Sequence, residues 1–315
     1  MARWSIRENE MPHENSPTVS VVFGSDESYV AHLAVALCSL FDKNRDLALN
    51  VYVLNSNIDP SSWRKIQDIA ERYGQKLIDL KVSERDLEGL VTTYHFTLAN
   101  YYRLFIPEKL PIERALYLDA DIVVNGSIAE LYNTDLGDAF LAAVCEPNFR
   151  RHEELEMSQD AKYFNSGVMV MNLDKWRRER VKDRVLEFVR RKPEAILFVD
   201  QCGTNSVVNG HWKVVHPKYN LQSSYLEESD LSSLTDLYSL DELTEAINSP
   251  VIIHYTGSAK PWKFRRHHRY RNLYWHYLGK TPFKRYLPEG LTISRVVKWC
   301  LQRAGMAGSY LAGDR

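Results

Sequence analysis

Short runs of β-branched and other apolar residues alternate with helical segments along the first 120 residues, and this alternation restricts the fold more than any other feature. Trp63, Ile66 and Ile69 share one face of a predicted helix that begins at Asp59-Pro60 and ends at Gly74. Strands that alternate with helices predict a mostly parallel sheet covered on both faces, the doubly wound α/β class. The other predicted helices are about 29–41 and 97–105, and the predicted strands are 18–23, 49–55, 76–82 and 115–119.

The second half of the chain is less regular. An apolar side that runs from Trp176 to Phe188 predicts a helix ending near Pro193, and another helix should begin near Asp200. The polar stretch 228–243 is predicted to be a surface excursion. Further strands are predicted at 140–146, 165–172 and 251–255.

Composition indicates an ordinary globular chain. Of 315 residues, 44% are hydrophobic and 26% are charged, which excludes collagen-like, disordered and coiled-coil proteins. The sequence contains no run of about 18 consecutive apolar residues, which is the length that a membrane-spanning helix needs. Residues 1–17 are polar and lack the apolar core that export requires, so we expect a disordered N-terminal tail. Four scattered cysteines without metal-ligand spacing favour reduced thiols in the cytoplasm.

Charge is distributed unevenly, although the formal net charge is only −1. The segment from Lys260 to Lys298 holds eleven basic residues and one acidic residue, Glu289, and aromatic residues are interleaved with them from Trp262 to Tyr286. Such a pattern indicates an anionic surface as partner, either a membrane or a nucleic acid. The alternative is a solvated basic face whose aromatic side chains pack on the rest of the protein.

Candidate ligands for a cation follow two of the predicted strands. Asp119 and Asp121 form a D-x-D motif at a strand end, where side chains two apart point the same way, and His254 lies at the end of a late strand. Two carboxylates and one imidazole suit a divalent ion of the manganese type better than zinc. Gly257 permits a tight loop near an anion, and Lys260 adds a point charge of the kind used on phosphates.

The sequence resembles retaining glycosyltransferases of family 8, similar to bacterial lipopolysaccharide galactosyl- and glucosyltransferases and more distantly to glycogenin. The resemblance runs from about Val21 to about Trp262. It implies a nucleotide-sugar-binding fold of the GT-A type over residues 18–262, and transfer of a hexose, glucose or galactose, from a UDP-sugar to a saccharide acceptor. The motifs that carry it are FGSDESY (23–29), YYRL (101–104), LYLDAD (116–121), YFNSGVMVMNLDKW (163–176), DQ (200–201) and HYTGSAKPW (254–262).

The same resemblance implies roles for individual residues. Asp119, Asp121 and His254 would hold Mn²⁺, with Mg²⁺ as the alternative, and His95 and Glu146 would contact the acceptor. Gln201 and Asp200 would lie beside the reacting carbon as the catalytic pair. The residues implied in donor binding are Asp26, Ser28, Tyr29, Arg103, Asp119, Ala120, Asp121, Asn165, Gly257 and Lys260.

Two positions depart from the family pattern. Ser28 stands where an asparagine is common, which leaves a shorter hydrogen-bonding group, and the segment after Gln201 is unusual. Retention of configuration requires either a covalent intermediate on a carboxylate or front-face attack, and family analogy favours the second.

Two other function classes compete with glycosyl transfer. A metal-dependent sugar-nucleotide hydrolase or nucleotidyltransferase would use a similar sheet and paired aspartates, but its product would be a sugar phosphate. A nucleic-acid-binding protein would use the basic end, but it would not explain the D-x-D motif. We therefore expect no nucleic-acid partner. Residues 263–315 are predicted to dock on an anionic membrane that carries glycolipid acceptors, at the inner face of the plasma membrane.

Overall fold

The computed structural model describes residues 18–90, 92, 97–147, 149–227, 231–258, 260–264 and 266–294. Its centre is a seven-stranded sheet of order β3-β2-β1-β4-β7-β6-β8, and a second sheet has the order β5-β10-β9. The strands are β1 Val19–Gly24, β2 Leu49–Asn55, β3 Lys76–Lys81, β4 Arg114–Leu118, β5 Ile122–Val124, β6 Leu141–Cys145, β7 Phe164–Asn172, β8 Lys213–Val214, β9 Leu221–Gln222 and β10 Ile252–His254.

Most of the central sheet is parallel. Strand β1 pairs in parallel with β2 and β4, β2 pairs in parallel with β3, and β6 pairs in parallel with β8. Only β7 is reversed, because it runs antiparallel between β4 and β6. The predicted α/β class with a mostly parallel sheet is therefore confirmed.

Helices cover both faces of this sheet. Asp59 accepts a hydrogen bond from the Ser61 N–H, and Pro60 fills the first turn, so helix α2 begins where these residues predict. A 3₁₀ helix over Leu98–Phe105 continues directly into α3. The α-helices are α1 Val30–Lys43, α2 Pro60–Arg72, α3 Ile106–Lys109, α4 Ala129–Tyr132, α5 Leu173–Arg178, α6 Val181–Arg191, α7 Val199–Val208, α8 Ser223–Glu227, α9 Leu240–Asn248 and α10 Arg271–Gly279.

Two sequence predictions in the second half need correction. The single helix expected across Trp176 and Phe188 is two helices, α5 and α6, because Arg180 between them adopts a left-handed conformation with φ of 51°. The segment 228–243, predicted to be a surface excursion, is attached to the core, since Leu234, Tyr238 and Leu243 are buried there. The sequence did not indicate this burial, because polar residues separate the three apolar ones.

The described part of the C-terminal region packs on the α/β domain. Helix α1 is buried from Val30 to Phe41, and α10 contributes Tyr274, Tyr277 and Leu278 to the same hydrophobic cluster. The His32 ring stacks on Trp262 with 3.7 Å between ring centroids. Trp262, Tyr274 and Tyr277 thus contribute to the core, as in the alternative given in the sequence analysis. The domain boundary after residue 262 stays a prediction.

Candidate active site

The carboxyl ends of β1 and β4 lie side by side because these strands are parallel neighbours. Asp26 follows the first, and Asp119 and Asp121 follow the second. The antiparallel strand β7 enters at the same edge, where the Asp119 N–H donates to the Gly167 carbonyl at 2.8 Å. This topology places the FNSG stretch of the YFNSGVMVMNLDKW motif against the D-x-D motif.

His254 is the last residue of β10 and therefore belongs to the second sheet. In the pairing of β10 with β5, His254 lies opposite Ile122, directly after Asp121, and the Tyr255 N–H donates to the Asp121 carbonyl at 3.0 Å. The imidazole is 3% exposed. Two sheets therefore supply the three candidate metal ligands.

These residues face a cleft of about 680 Å³. That volume lies within the range of about 300–1,000 Å³ typical of small-molecule sites. Its walls include the predicted residues Asp26, Tyr29, Arg103, Asp119, Ala120, Asp121, Glu146, Asn165, Asp200, Gln201, His254, Gly257 and Lys260.

The candidate ligand atoms of Asp119, Asp121 and His254 all lie within 4.8 Å of one another. His254 Nε2 is 3.2 Å from Asp121 Oδ1 and 3.7 Å from Asp119 Oδ2. The atoms converge tightly enough for a single ion to touch all three.

A chain of amide hydrogen bonds determines which nitrogen of His254 carries the proton. The Gly167 N–H donates to Asn165 Oδ1 at 3.0 Å, and Asn165 Nδ2 donates to the Glu146 carboxylate at 2.7 Å. Asn220 Nδ2 donates to the same Asn165 oxygen, which leaves Asn220 Oδ1 to accept from His254 Nδ1 at 2.9 Å. The lone pair of His254 Nε2 then faces the carboxylates of Asp119 and Asp121. These three groups all accept and none donates, which is the arrangement of a cation site.

Space for an ion is preserved by a glycine in β7. A Cβ atom at Gly167 would lie 2.2 Å from His254 Cε1 and 2.6 Å from Asp119 Oδ2. Any larger residue would therefore displace the candidate ligands. The donor set and this cradle fit a divalent cation with oxygen and nitrogen ligands.

Lys260 adds a positive charge beside the cluster, since its ammonium pairs with the Asp121 carboxylate and the Tyr255 carbonyl. Burial raises the pKa of Asp121, but Lys260 and His254 outweigh burial and hold that pKa well below its usual range. Asp121 is thus an anion throughout the physiological range.

Arg103 links the D-x-D motif to helix α7. Its guanidinium lies 3.0 Å from Asp119 Oδ1 and 3.0 Å from Asp200 Oδ2, and it also donates to Ser166. It is 2% exposed and stacks 4.4 Å over the Tyr117 ring. Burial raises the pKa of Asp200, and the ion pair with Arg103 opposes that rise. Asp200 lies inside the first turn of α7 and not at its N-cap, which is Phe198.

The glycosyl transferase family 8 model matches residues 20–265. The chain belongs to this family. General stress protein A of Bacillus subtilis (strain 168) is 29% identical over 285 residues, which cover 88% of this chain and 96% of that protein. Lipopolysaccharide 1,2-glucosyltransferase of Escherichia coli (strain K12) is 28% identical over 253 residues, covering 78% of this chain and 73% of that protein.

The fold of this family 8 glycosyltransferase also matches solved structures. The crystal structure of the galactosyltransferase LgtC in complex with donor and acceptor sugar analogs superposes with a TM-score of 0.75 at 24% identity, covering 86% of this chain and 98% of that one. The α/β fold is therefore of the GT-A type. Among the described residues, no helix has both the length and the apolar character needed to cross a bilayer.

Two predicted site residues of this glycosyltransferase are not placed in the cleft wall. Ser28 is exposed and donates to Asp26 Oδ1 at 2.5 Å. The prediction for His95 lies outside the described residues. Gln201 lines the cleft, and its amide oxygen accepts from the Ser166 N–H at 2.9 Å.

Sequence reasoning missed four residues that organise the site, namely Ser166, Gly167, Asn220 and Tyr117. The Tyr117 hydroxyl donates to Asp119 Oδ1 at 2.8 Å. Ser166 and Gly167 stood inside the matched motif NSGVMVMN, so the motif itself could have indicated them. Asn220 lies in YNLQSSY, and nothing in that segment alone indicates that its amide contacts a histidine 34 positions later.

Proposed function

We propose that the protein transfers a glucose or galactose unit from a UDP-sugar to a saccharide acceptor with retention of anomeric configuration. The observation that carries the proposal is the convergence of Asp119, Asp121 and His254 in a cleft that also holds Lys260. Departure of UDP develops negative charge on the β-phosphate. A cation held by the three ligands would stabilise that charge, and we propose Mn²⁺, with Mg²⁺ as the alternative.

The remaining residues of the cleft support a division of labour. Asp26 and Tyr29 line the cleft on the β1 side and would contact the nucleotide, Gly257 and Lys260 would contact the diphosphate, and Gln201, on the α7 side, would contact the hexose. Front-face transfer breaks the bond from the anomeric carbon to the phosphate oxygen and forms a bond to the acceptor oxygen. The acceptor proton passes to the departing phosphate.

Asp200 is poorly suited to a covalent intermediate. Its carboxylate is 1% exposed and pairs with Arg103, so a sugar carbon could reach it only if that ion pair opened. This favours front-face attack, with Asp200 fixing Arg103 and the Gln201 amide beside the sugar.

The experiment measures UDP release with UDP-glucose and UDP-galactose and with lipopolysaccharide core acceptors, in Mn²⁺ and in EDTA. Asp121→Asn should lower kcat/KM by about 10³-fold, because losing one ligand from a charged site costs several kcal/mol. Asp68→Asn, on the exposed side of α2, is the matched control and should behave as the parent. Full activity in EDTA would contradict the metal assignment.

Product stereochemistry tests retention separately. The anomeric coupling in the NMR spectrum of the product from a UDP-α-hexose should show an α linkage. A β-linked product would contradict retention, and a sugar phosphate would indicate the hydrolase or nucleotidyltransferase class instead. We further propose that this reaction takes place in the cytoplasm, at the inner face of the plasma membrane.

A further inference from the structure

A second cavity of about 520 Å³ adjoins the cleft. The two share Ser223 and Glu227, which lie at the two ends of the short helix α8. The remaining walls come from α8, the 3₁₀ helix Leu231–Leu234, α9 and the segment before α10. They consist of Tyr225, Leu226, Leu231, Ile247, His267, His268 and Arg269.

His268 lines this cavity and carries a buried hydrogen-bond donor that has no partner in the described chain. Its Nδ1 accepts from the Tyr270 N–H at 3.1 Å, so the proton of the neutral ring is on Nε2. Among the described residues, no group accepts from the buried Nε2–H. The hydroxyl oxygens of Ser223 and Ser224 are likewise buried without a partner in the described chain. Such groups are costly unless a bound molecule completes their hydrogen bonds.

The composition of the walls indicates the class of that molecule. Tyr225, Leu226, Leu231 and Ile247 supply apolar surface, whereas Glu227 can accept hydrogen bonds and His268 can donate one. Sugars combine apolar C–H faces with hydroxyl groups that both donate and accept, and they match such a surface. A phosphate group would meet no net positive charge here, because the Glu227 carboxylate offsets the Arg269 guanidinium, which already donates to Asn248 Oδ1.

We propose that the second cavity binds a further sugar unit of the acceptor, so that an oligosaccharide is preferred over a monosaccharide. The proposal rests on the proposed function, because it assumes that the first cleft holds the reacting sugar. Continuity through Ser223 and Glu227 allows one chain of sugars to occupy both cavities. His267, His268 and Arg269 lie beyond residue 265, where the family match ends, so the match does not extend to this wall of the subsite.

The first test is direct binding to the full-length protein, measured by saturation-transfer difference NMR with lactose and maltose as probes. Both rings of a disaccharide should show enhancement in the parent. Ile247→Trp fills the cavity and should remove the enhancement of one ring. Leu240→Trp is the matched control, because Leu240 is on the same helix but 51% exposed. Equal enhancements in parent and Ile247→Trp, or no binding of either disaccharide, would overturn the proposal.

The second test uses turnover and separates this proposal from the function on which it rests. Ile247→Trp should reduce kcat/KM for lactose or maltose about tenfold, to the value for galactose or glucose, since one or two hydrogen bonds are lost. His268→Phe, which removes the N–H but keeps an aromatic ring against Tyr255, should act in the same direction. UDP release without acceptor should not change. No UDP release by the parent would refute the proposed function, whereas equal rates for one and two sugar units would refute only the second subsite.

Discussion

At the scale of single residues, the site depends on amides that contact neither nucleotide nor metal. Asn220 orients His254, and Asn165 orients Asn220. The backbone N–H of Gly167 donates to Asn165 Oδ1 and so fixes the orientation of this series of hydrogen bonds. Residues that hold a metal-ligating histidine in one tautomer typically change metal affinity by 10–100-fold when they are replaced.

We therefore predict that Asn220→Leu weakens Mn²⁺ binding by about 10–100-fold, because the leucine cannot accept the His254 Nδ1 proton. Electron paramagnetic resonance of free Mn²⁺ measures the affinity without turnover. Asn220→Asp keeps the acceptor and should bind closer to the parent. Asn57→Leu, at an exposed position, is the control. Parental affinity in Asn220→Leu would refute a positioning role for this amide.

Glu146 yields a prediction about stability. Burial, opposed by the Asn165 hydrogen bond, raises the pKa of Glu146 from 4.5 to about 6. Between these values the native protein holds a proton that the unfolded chain has released, so the contribution of Glu146 to the free energy of unfolding falls as pH rises from 4.5 to 6.

Glu146→Gln should thus be more stable than the parent above pH 6, by about 2 kcal/mol, and equal to it below pH 4. The glutamine oxygen can still accept from Asn165. Urea unfolding at pH 4, 5, 6 and 8 measures the difference, with the exposed Glu88→Gln as control. A variant that is less stable than the parent at pH 8 would contradict the assignment of burial as the main cause.

At the scale of elements, helix α7 must approach α6 closely to bring Asp200 and Gln201 to the cleft. Gly203 allows this contact, because a Cβ atom there would lie 2.9 Å from Val185 Cγ1 and 3.1 Å from Val189 Cγ2. Overpacking at such a contact costs about 1–3 kcal/mol, which exceeds the roughly 1 kcal/mol that alanine gains in helix propensity.

Gly203→Ala should accordingly lower the free energy of unfolding by up to about 2 kcal/mol. Val185→Ala in the same chain opens room for the new methyl group, so the double variant should lose less than the sum of the single losses. Gly279→Ala, which meets nothing within 4 Å, is the matched control. Strict additivity in denaturant unfolding would indicate that Val185 does not limit the contact.

Most elements before residue 120 could be predicted, because their strands are short apolar runs and helix α2 has a clear start and end. Strand β1 covers Val19–Gly24 against the predicted 18–23, and β2 covers Leu49–Asn55 as predicted. The break at Arg180 could not be predicted, because the apolar spacing continues across it. The contact between Asn220 and His254 could not be predicted for a related reason. It depends on the pairing of two strands and not on a local pattern.

At the scale of the whole molecule, the aromatic C-terminal segment closes the core. His32 of α1 stacks on Trp262 and hydrogen-bonds the Tyr274 hydroxyl at 2.6 Å, and Asp42 binds both Tyr277 and Lys280. A truncation before Phe264 would expose buried α1 and lower stability. It is therefore a poor test of membrane docking, which remains our proposal for this segment.

Exposed basic residues provide the cleaner test. Replacing Arg266, Lys284 and Arg285 by glutamine should leave the free energy of unfolding within about 0.5 kcal/mol of the parent, because each side chain is exposed. If the segment docks on an anionic surface, each lost charge removes about 1 kcal/mol, so affinity for phosphatidylglycerol vesicles should fall about 100-fold. The control removes the same charge elsewhere, with glutamine at Arg64, Lys76 and Lys109, and should sediment with the vesicles as the parent does. Equal sedimentation of both triple variants would refute docking through the C-terminal segment, whereas selective release of the first, reproduced in the parent by raised salt, would support it.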